Sequence, residues 1–208
     1  MLNRFARAFF SKVFAPVARR LVDAGVSPDV VTLVGTLGVS AGALFFYPRG
    51  RWVAGTLFIT AFVFSDIVDG SMARLSGRSS RWGAFLDSSL DRVGDAAIFV
   101  GIALYYAGRG DDLLLTSLAL YCLVVGSVIS YVKARAEGLG MTADVGIAER
   151  ADRLVLILVA TGLSGLFDLP VVQQAALWLL AVAGTVTVIQ RVVVVRRQAL
   201  RETADGPV

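Results

Sequence analysis

Long uncharged apolar runs recur along this chain, separated by short polar joints. Residues 30–47 carry no charge. Ser27-Pro28-Asp29 precedes them, with Ser placed to cap a helix and Pro in its first turn. Pro48 and Gly50 then break the run. Residues 52–65 are uncharged, and the helical period continues through Asp66, Asp69 and Arg74. A third run, 84–106, carries Asp87, Asp91, Arg92 and Asp95 in its first half. Residues 113–132 end at Lys133 and Arg135. Residues 154–167 follow Glu149, Arg150, Asp152 and Arg153, and residues 169–190 run into Arg191, Arg196 and Arg197. A bilayer is crossed by about 20 apolar residues in a helix. These runs are too continuous for the alternating strands of a barrel, so lipid leaves only helices. The pattern predicts an all-α polytopic membrane protein with six transmembrane helices.

Residues 2–23 add a different pattern. Phe5, Phe9 and Val13, with Phe10, Phe14, Val17 and Leu21, fall at helical spacing among Arg4, Arg7, Lys12, Arg19 and Arg20. This suits an amphipathic juxtamembrane helix over residues 1–26, lying on the inner leaflet. Residues 27–200 then form one six-helix domain, and the polar tail 201–208 is expected to be disordered. No repeat of 20–50 residues is visible, and the two halves of the chain do not resemble each other as inverted repeats would.

Composition narrows the class. Hydrophobic residues make up 56% of the 208 and charged residues 17%; mean hydropathy is +0.72. That excludes a soluble enzyme, a disordered chain and a nucleic-acid partner. The joints after the first, third and fifth runs hold Arg49, Arg51 and Arg109, whereas the other 17 of the 20 basic residues lie on the opposite side. The positive-inside rule therefore places both termini in the cytoplasm of a multi-pass cell-membrane protein, and the basic excess suits anionic membrane lipids. All the charged helix ends then share the cytoplasmic half, as a polar cavity open to that side would require. There is one cysteine and no histidine, so any chemistry runs on carboxylates, basic groups, hydroxyls or a metal held by oxygen.

The acids are spaced for such a site. Asp66 and Asp69 are three apart, and Asp87 and Asp91 four apart, each pair on one helical face. A short joint makes their helices antiparallel neighbours, so the carboxylates can meet. Four carboxylates at low dielectric need counter-charge. Hard divalent cations supply it, and all-oxygen ligation suits Mg²⁺ (two ions) or Mn²⁺, which can clamp a phosphate or pyrophosphate. Gly70 and Gly83 open space for a ligand, and Arg74 and Arg78 can neutralise phosphate oxygens. An ion or proton-coupled transporter is the alternative of another class, but it needs neither the glycines nor the adjacent arginine.

The run Asp66-x-x-Asp69-Gly70-x-x-Ala73-Arg74, eight residues, Gly83-x-x-x-Asp87-x-x-x-Asp91 resembles the signature of the CDP-alcohol phosphotransferases at every fixed position. The resemblance implies transfer of a phosphatidyl group from CDP-diacylglycerol to an alcohol with release of CMP, by a homodimer with a di-metal site. It implies that Asp66 and Asp87 bridge both metals, that Asp69 and Asp91 bind one each, and that Asp91 is the catalytic base. Gly70, Ala73, Arg74 and Ser80, with the segment Asp29, Val30, Val31 and Thr32, match positions that hold the cytidine nucleotide.

The acceptor is not fixed by that motif. Lys133, Arg135, Arg153 and Arg191 converge, on this reading, into an anion pocket for a phosphorylated alcohol. The segments Tyr131-Val-Lys-Ala-Arg-Ala-Glu137 and Ile147-Ala-Glu-Arg-Ala-Asp-Arg153 are similar to those of actinobacterial family members that use inositol phosphate. That implies 1D-myo-inositol 3-phosphate as acceptor and phosphatidylinositol phosphate as product; glycerol 3-phosphate, giving phosphatidylglycerophosphate, is the alternative. Cys122 and Trp178 read as packing, and Gly38 and Gly42 as a close helix contact.

Overall fold

The computed structural model describes residues 15–75 and 80–204; side chains of Asp66, Ile67 and residues 202–204 are outside the description. Most of the expected amphipathic helix, through residue 14, and also Arg78 and residues 205–208, lie outside the described residues. Every described element is helical: α1 (15–23), α2 (Pro28–Phe46), a 3-10 turn (Tyr47–Arg49), α3 (Trp52–Val63), α4 (Ser65–Leu75), α5 (Arg81–Ala107), α6 (Leu113–Glu137), α7 (Arg150–Phe167) and α8 (Pro170–Ala204).

Local chemistry sets the helix ends. Ser27 accepts a hydrogen bond from the Val30 N–H with Pro28 in the first turn of α2, and Ser80 accepts one from the Gly83 N–H at 2.9 Å. Asp112 caps α6 by accepting from the Leu115 N–H at 2.8 Å. Each cap satisfies a donor that the first helical turn leaves free. Gly50 ends the 3-10 turn at φ 70°, a conformation that glycine adopts without steric cost.

The helices pack in the order α2, α5, α6, α8, α7, α3 and back to α2, closing a ring. Its core is built from residues of all six, among them Val39, Ile59, Ile102, Cys122, Ile157 and Leu177. The α2–α3 seam runs along Gly38 and Gly42, where a Cβ would come within 2.1 Å of Phe62 and 2.6 Å of Phe58. The expected close helix contact is therefore made inside the chain. At the end of the bundle away from the acids, buried Gln173 accepts from the Tyr106 hydroxyl at 2.7 Å and donates to Thr161 at 3.0 Å.

Four helical stretches are long and apolar enough to cross a membrane: Pro28–Arg49, Trp52–Leu75, Leu113–Glu137 and Pro170–Arg201. No more than 39% of any of their apolar windows is buried within the protein, so their apolar surface faces outward. This is the inverse of a soluble protein and the mark of a helical membrane protein. Helices α5 and α7 carry Asp91, Arg92 and Asp95, and Arg150, Asp152 and Arg153, within their spans, so charge interrupts their apolar stretches. Three details differ from expectation. The second run is broken at Phe64, between α3 and α4. Helix α8 continues through 201–204, where a disordered tail was expected. Trp178 is 49% exposed rather than packed, since it faces outward beside Tyr121 on a groove between α6 and α8.

Candidate active site

Helices α2, α4 and α5 bring their acid-bearing ends to one end of the bundle. Helix α1 supports this corner: Ala18 is buried with Val68 and Met72 of α4, and Leu21, Val22 and Val31 pack around them. The opposite face of α4 presents Asp69, Gly70 and Ala73 to a cleft of ≈ 220 Å³. Pro28, Asp29 and Thr32 of α2 line it, as do Ser80, Gly83, Ala84 and Asp87 at the start of α5. The N-termini of α2 and α5 therefore both open onto the cleft, and their aligned N–H groups favour negative charge there.

Asp69 is 6% exposed. The Thr32 hydroxyl donates to its Oδ2 at 2.6 Å and also lies 3.1 Å from the Pro28 carbonyl. A hydroxyl has one proton, and the shorter, charge-assisted contact to the carboxylate takes it. One carboxylate oxygen is thus fixed in orientation. Gly70 leaves the cleft open, since a Cβ there would meet only Arg74 Nη1 at 3.6 Å. Arg74 donates to Ser71 at 3.1 Å and is exposed beside the cleft. Val30 and Val31 are not among the lining residues; Val30 points outward and Val31 packs toward α1.

Asp91, one turn beyond Asp87, is held differently. Arg150 at the start of α7 reaches its Oδ2 at 2.8 Å and contacts Asp95 at 3.2 and 3.3 Å. Arg92 donates to Ser130 and stands 3.8 Å from Asp91 and 3.7 Å from Asp95. Among the described residues no three acids converge as a metal site, with the Asp66 side chain outside the description. Asp69 and Asp87 share the cleft, while Asp91 faces Arg150. The donor set still fits a hard divalent cation: it is all carboxylate, Asp69 is buried with Asp87 and Asp91 half-buried, and Asp69 is oriented by an outer hydroxyl.

The four basic residues expected around the acceptor are only partly gathered. Arg191 donates to the carbonyls of Val145 at 2.9 Å and Ile129 at 2.7 Å, and Arg153 donates to Ala148 at 3.1 Å. Lys133 pairs with Asp144 and, at 3.8 Å, with Glu137. These three surround the 138–149 segment. Arg135 lies apart, exposed at the end of α6. The hydrogen bond from Lys133, with its charge, holds the Asp144 carboxyl below the ordinary aspartate range. Sequence reasoning passed over Asp95 and the part played by Arg150. Asp95 continues the four-residue spacing of Asp87 and Asp91, and that spacing was the available signal. Nothing in the sequence placed Arg150 against them.

A model of the CDP-alcohol phosphatidyltransferase family matches residues 25–189. The chain belongs to this family. The CDP-alcohol phosphatidyltransferases are transferases, and the chain is an enzyme of that class. It is 57% identical to the phosphatidylinositol phosphate synthase of Streptomyces avermitilis, over 98% of this chain and 86% of that protein. It is 51% identical to the enzyme of the same name from Cutibacterium acnes, over 95% and 98%. Among solved structures, the phosphatidylinositol phosphate synthase of Mycobacterium tuberculosis with CDP-DAG bound superposes with a TM-score of 0.84 at 41% identity, covering 88% of this chain and 94% of that one. The same Mycobacterium tuberculosis protein in complex with manganese and citrate gives a TM-score of 0.83 at 42% identity, covering 87% and 88%.

Proposed function

We propose that this CDP-alcohol phosphatidyltransferase transfers the phosphatidyl group of CDP-diacylglycerol to 1D-myo-inositol 3-phosphate, releasing CMP. The observation that carries the reading is the cleft, which gathers Asp69 and Asp87 with Asp29, Thr32, Gly70, Ala73 and Ser80 at two helix N-termini. The names of the relatives in Streptomyces and Cutibacterium support the acceptor, and the mycobacterial complexes support the donor and the use of a divalent metal.

On this reading the nucleotide lies along Asp29, Thr32, Gly70, Ala73, Arg74 and Ser80, with Val30 and Val31 shaping the turn of α2 that carries Asp29 and Thr32. Asp66, Asp69, Asp87 and Asp91 hold the metal. Two divalent cations bound there, Mg²⁺ or Mn²⁺, would neutralise the pyrophosphate and stabilise the departing CMP. Asp91 takes the proton of the attacking hydroxyl as its oxygen bonds to the diacylglycerol-bearing phosphorus and the bond to CMP breaks. Lys133, Arg153 and Arg191, with Arg135 at the rim, attract the acceptor's phosphate.

The domain over 27–200 spans the cell membrane six times as a homodimer, α5 and α7 included. Helix α5 is 27 residues long, about 40 Å at 1.5 Å per residue, so its apolar second half and charged first half together cover the bilayer. The site faces the cytoplasm, and the 1–26 helix lies on anionic lipid. The test is CMP release by purified protein given CDP-diacylglycerol, Mg²⁺ or Mn²⁺, and a panel of alcohols. Inositol 3-phosphate should outpace glycerol 3-phosphate and free inositol. Preference for glycerol 3-phosphate overturns the acceptor, and no release with any alcohol overturns the transferase reading.

A further inference from the structure

We propose that Arg150 is a latch on Asp91: a positioning residue that competes with the divalent cation for the Asp91 Oδ2 and is retained by Asp95 when it lets go. The inference rests on the proposed role of Asp91 as a metal ligand. The guanidinium divides its donors between two carboxylates one helical turn apart. Nη1 reaches Asp91 Oδ2 at 2.8 Å. Nη2 lies 3.2 Å from Asp95 Oδ1, and Nε lies 3.3 Å from both Asp95 oxygens. A carboxylate oxygen bonded to arginine at 2.8 Å offers its electron density to that donor, and ligation of a cation needs the same oxygen. The guanidinium also sets a positive charge against the position of the incoming ion.

Release of Asp91 does not detach Arg150 from α5, because Asp95 holds the guanidinium separately. With Asp91 withdrawn, Arg150 keeps its three contacts to Asp95. Arg92 cannot substitute as the latch. It stands 3.8 Å from Asp91, and its Nε is buried with no hydrogen-bond partner among the described residues. The coupling is reciprocal: the factor by which Arg150 weakens cation binding is the factor by which the cation weakens Arg150's hold. The arrangement keeps Asp91 aimed before the cation arrives. Arg150 also lines a cavity with Arg92, Asp95 and Arg153.

The test is Mn²⁺ binding to the purified full-length protein, read from the paramagnetic resonance of the unbound ion, beside CMP release. Arg150→Gln should lower the Mn²⁺ Kd about tenfold, the worth of a hydrogen bond to a charged group, while kcat at saturating Mn²⁺ changes by less than the Kd, because the latch is already open in the metal-bound protein. A merely structural brace would weaken binding and turnover together. Arg92→Gln removes an equal charge from a greater distance and should lower the Kd by less than about threefold. An unchanged or raised Kd in Arg150→Gln, or equal tightening in Arg92→Gln, overturns the latch. If Arg150→Gln does not fold, Arg150→Lys decides. One ammonium cannot hold both carboxylates, so the Kd should fall about threefold, and an unshifted Kd overturns the proposal. Wild-type protein that binds Mn²⁺ but releases no CMP defeats the transferase reading itself. CMP release with an unshifted Arg150→Gln Kd defeats only the latch.

Discussion

Thr32→Val tests whether the site depends on an oriented Asp69. The substitution keeps the shape of the side chain and removes the hydroxyl that donates to Asp69 Oδ2 at 2.6 Å. Both residues are buried, at 7% and 6% exposure, so the contact is little screened by solvent. A hydrogen bond to a charged group is worth about 1.5–3 kcal/mol. At about 1.36 kcal/mol per decade of rate, this corresponds to about 10- to 150-fold, in line with the 10- to 100-fold effect of removing a partner behind a metal ligand. The loss should appear chiefly as a rise in the Mg²⁺ or Mn²⁺ concentration needed for half-maximal CMP release. Thr32→Ser restores the donor and should recover most of the activity. Thr32→Val with wild-type cation dependence and turnover would refute the orienting role. A raised CDP-diacylglycerol KM with unchanged cation dependence would assign Thr32 to the nucleotide instead.

The two glycine contacts separate site from scaffold. Gly70→Val should raise the donor KM in CMP release with little change in melting temperature, because a Cβ at Gly70 meets only Arg74 at 3.6 Å. Gly101→Ala would put a Cβ 2.5 Å from the Ala43 carbonyl oxygen, and its overpacking should cost about 1–3 kcal/mol in thermal or denaturant unfolding. The pair between Lys133 and Asp144 lowers the folded-state Asp144 pKa. Its contribution is therefore present at neutral pH and lost as pH falls through that lowered value, and Asp144→Asn should flatten the acid limb of the stability profile. Arg109→Cys should react with an impermeant thiol reagent from outside intact cells and Leu139→Cys should not; Cys122 gives no background, being buried. The reverse labelling pattern would invert the proposed orientation.

The order of helices was legible in the sequence because lipid permits few alternatives: an uncharged run bounded by Pro, Gly or arginine has to be a helix. Ser27 before Pro28 marked the start of α2 because capping is decided within one turn. The spacings within Asp66, Asp69, Asp87 and Asp91 suggested a carboxylate site for the same local reason, since residues three or four apart share a helical face; of the four, Asp69 and Asp87 line the cleft. What the sequence could not express is which side chains meet across helices. Thr32 and Asp69 are 37 residues apart and meet only because α2 packs beside α4. Arg150 reaches Asp91 and Asp95 from a separate helix, and basic residues that looked alike in the chain divide into Arg191 and Arg153, bonded to carbonyls, and an exposed Arg135. Charge and periodicity are properties of the chain, read one residue after another. Which guanidinium satisfies which carboxylate depends on distances of a few ångströms across the bundle, and these exist only once the helices have packed.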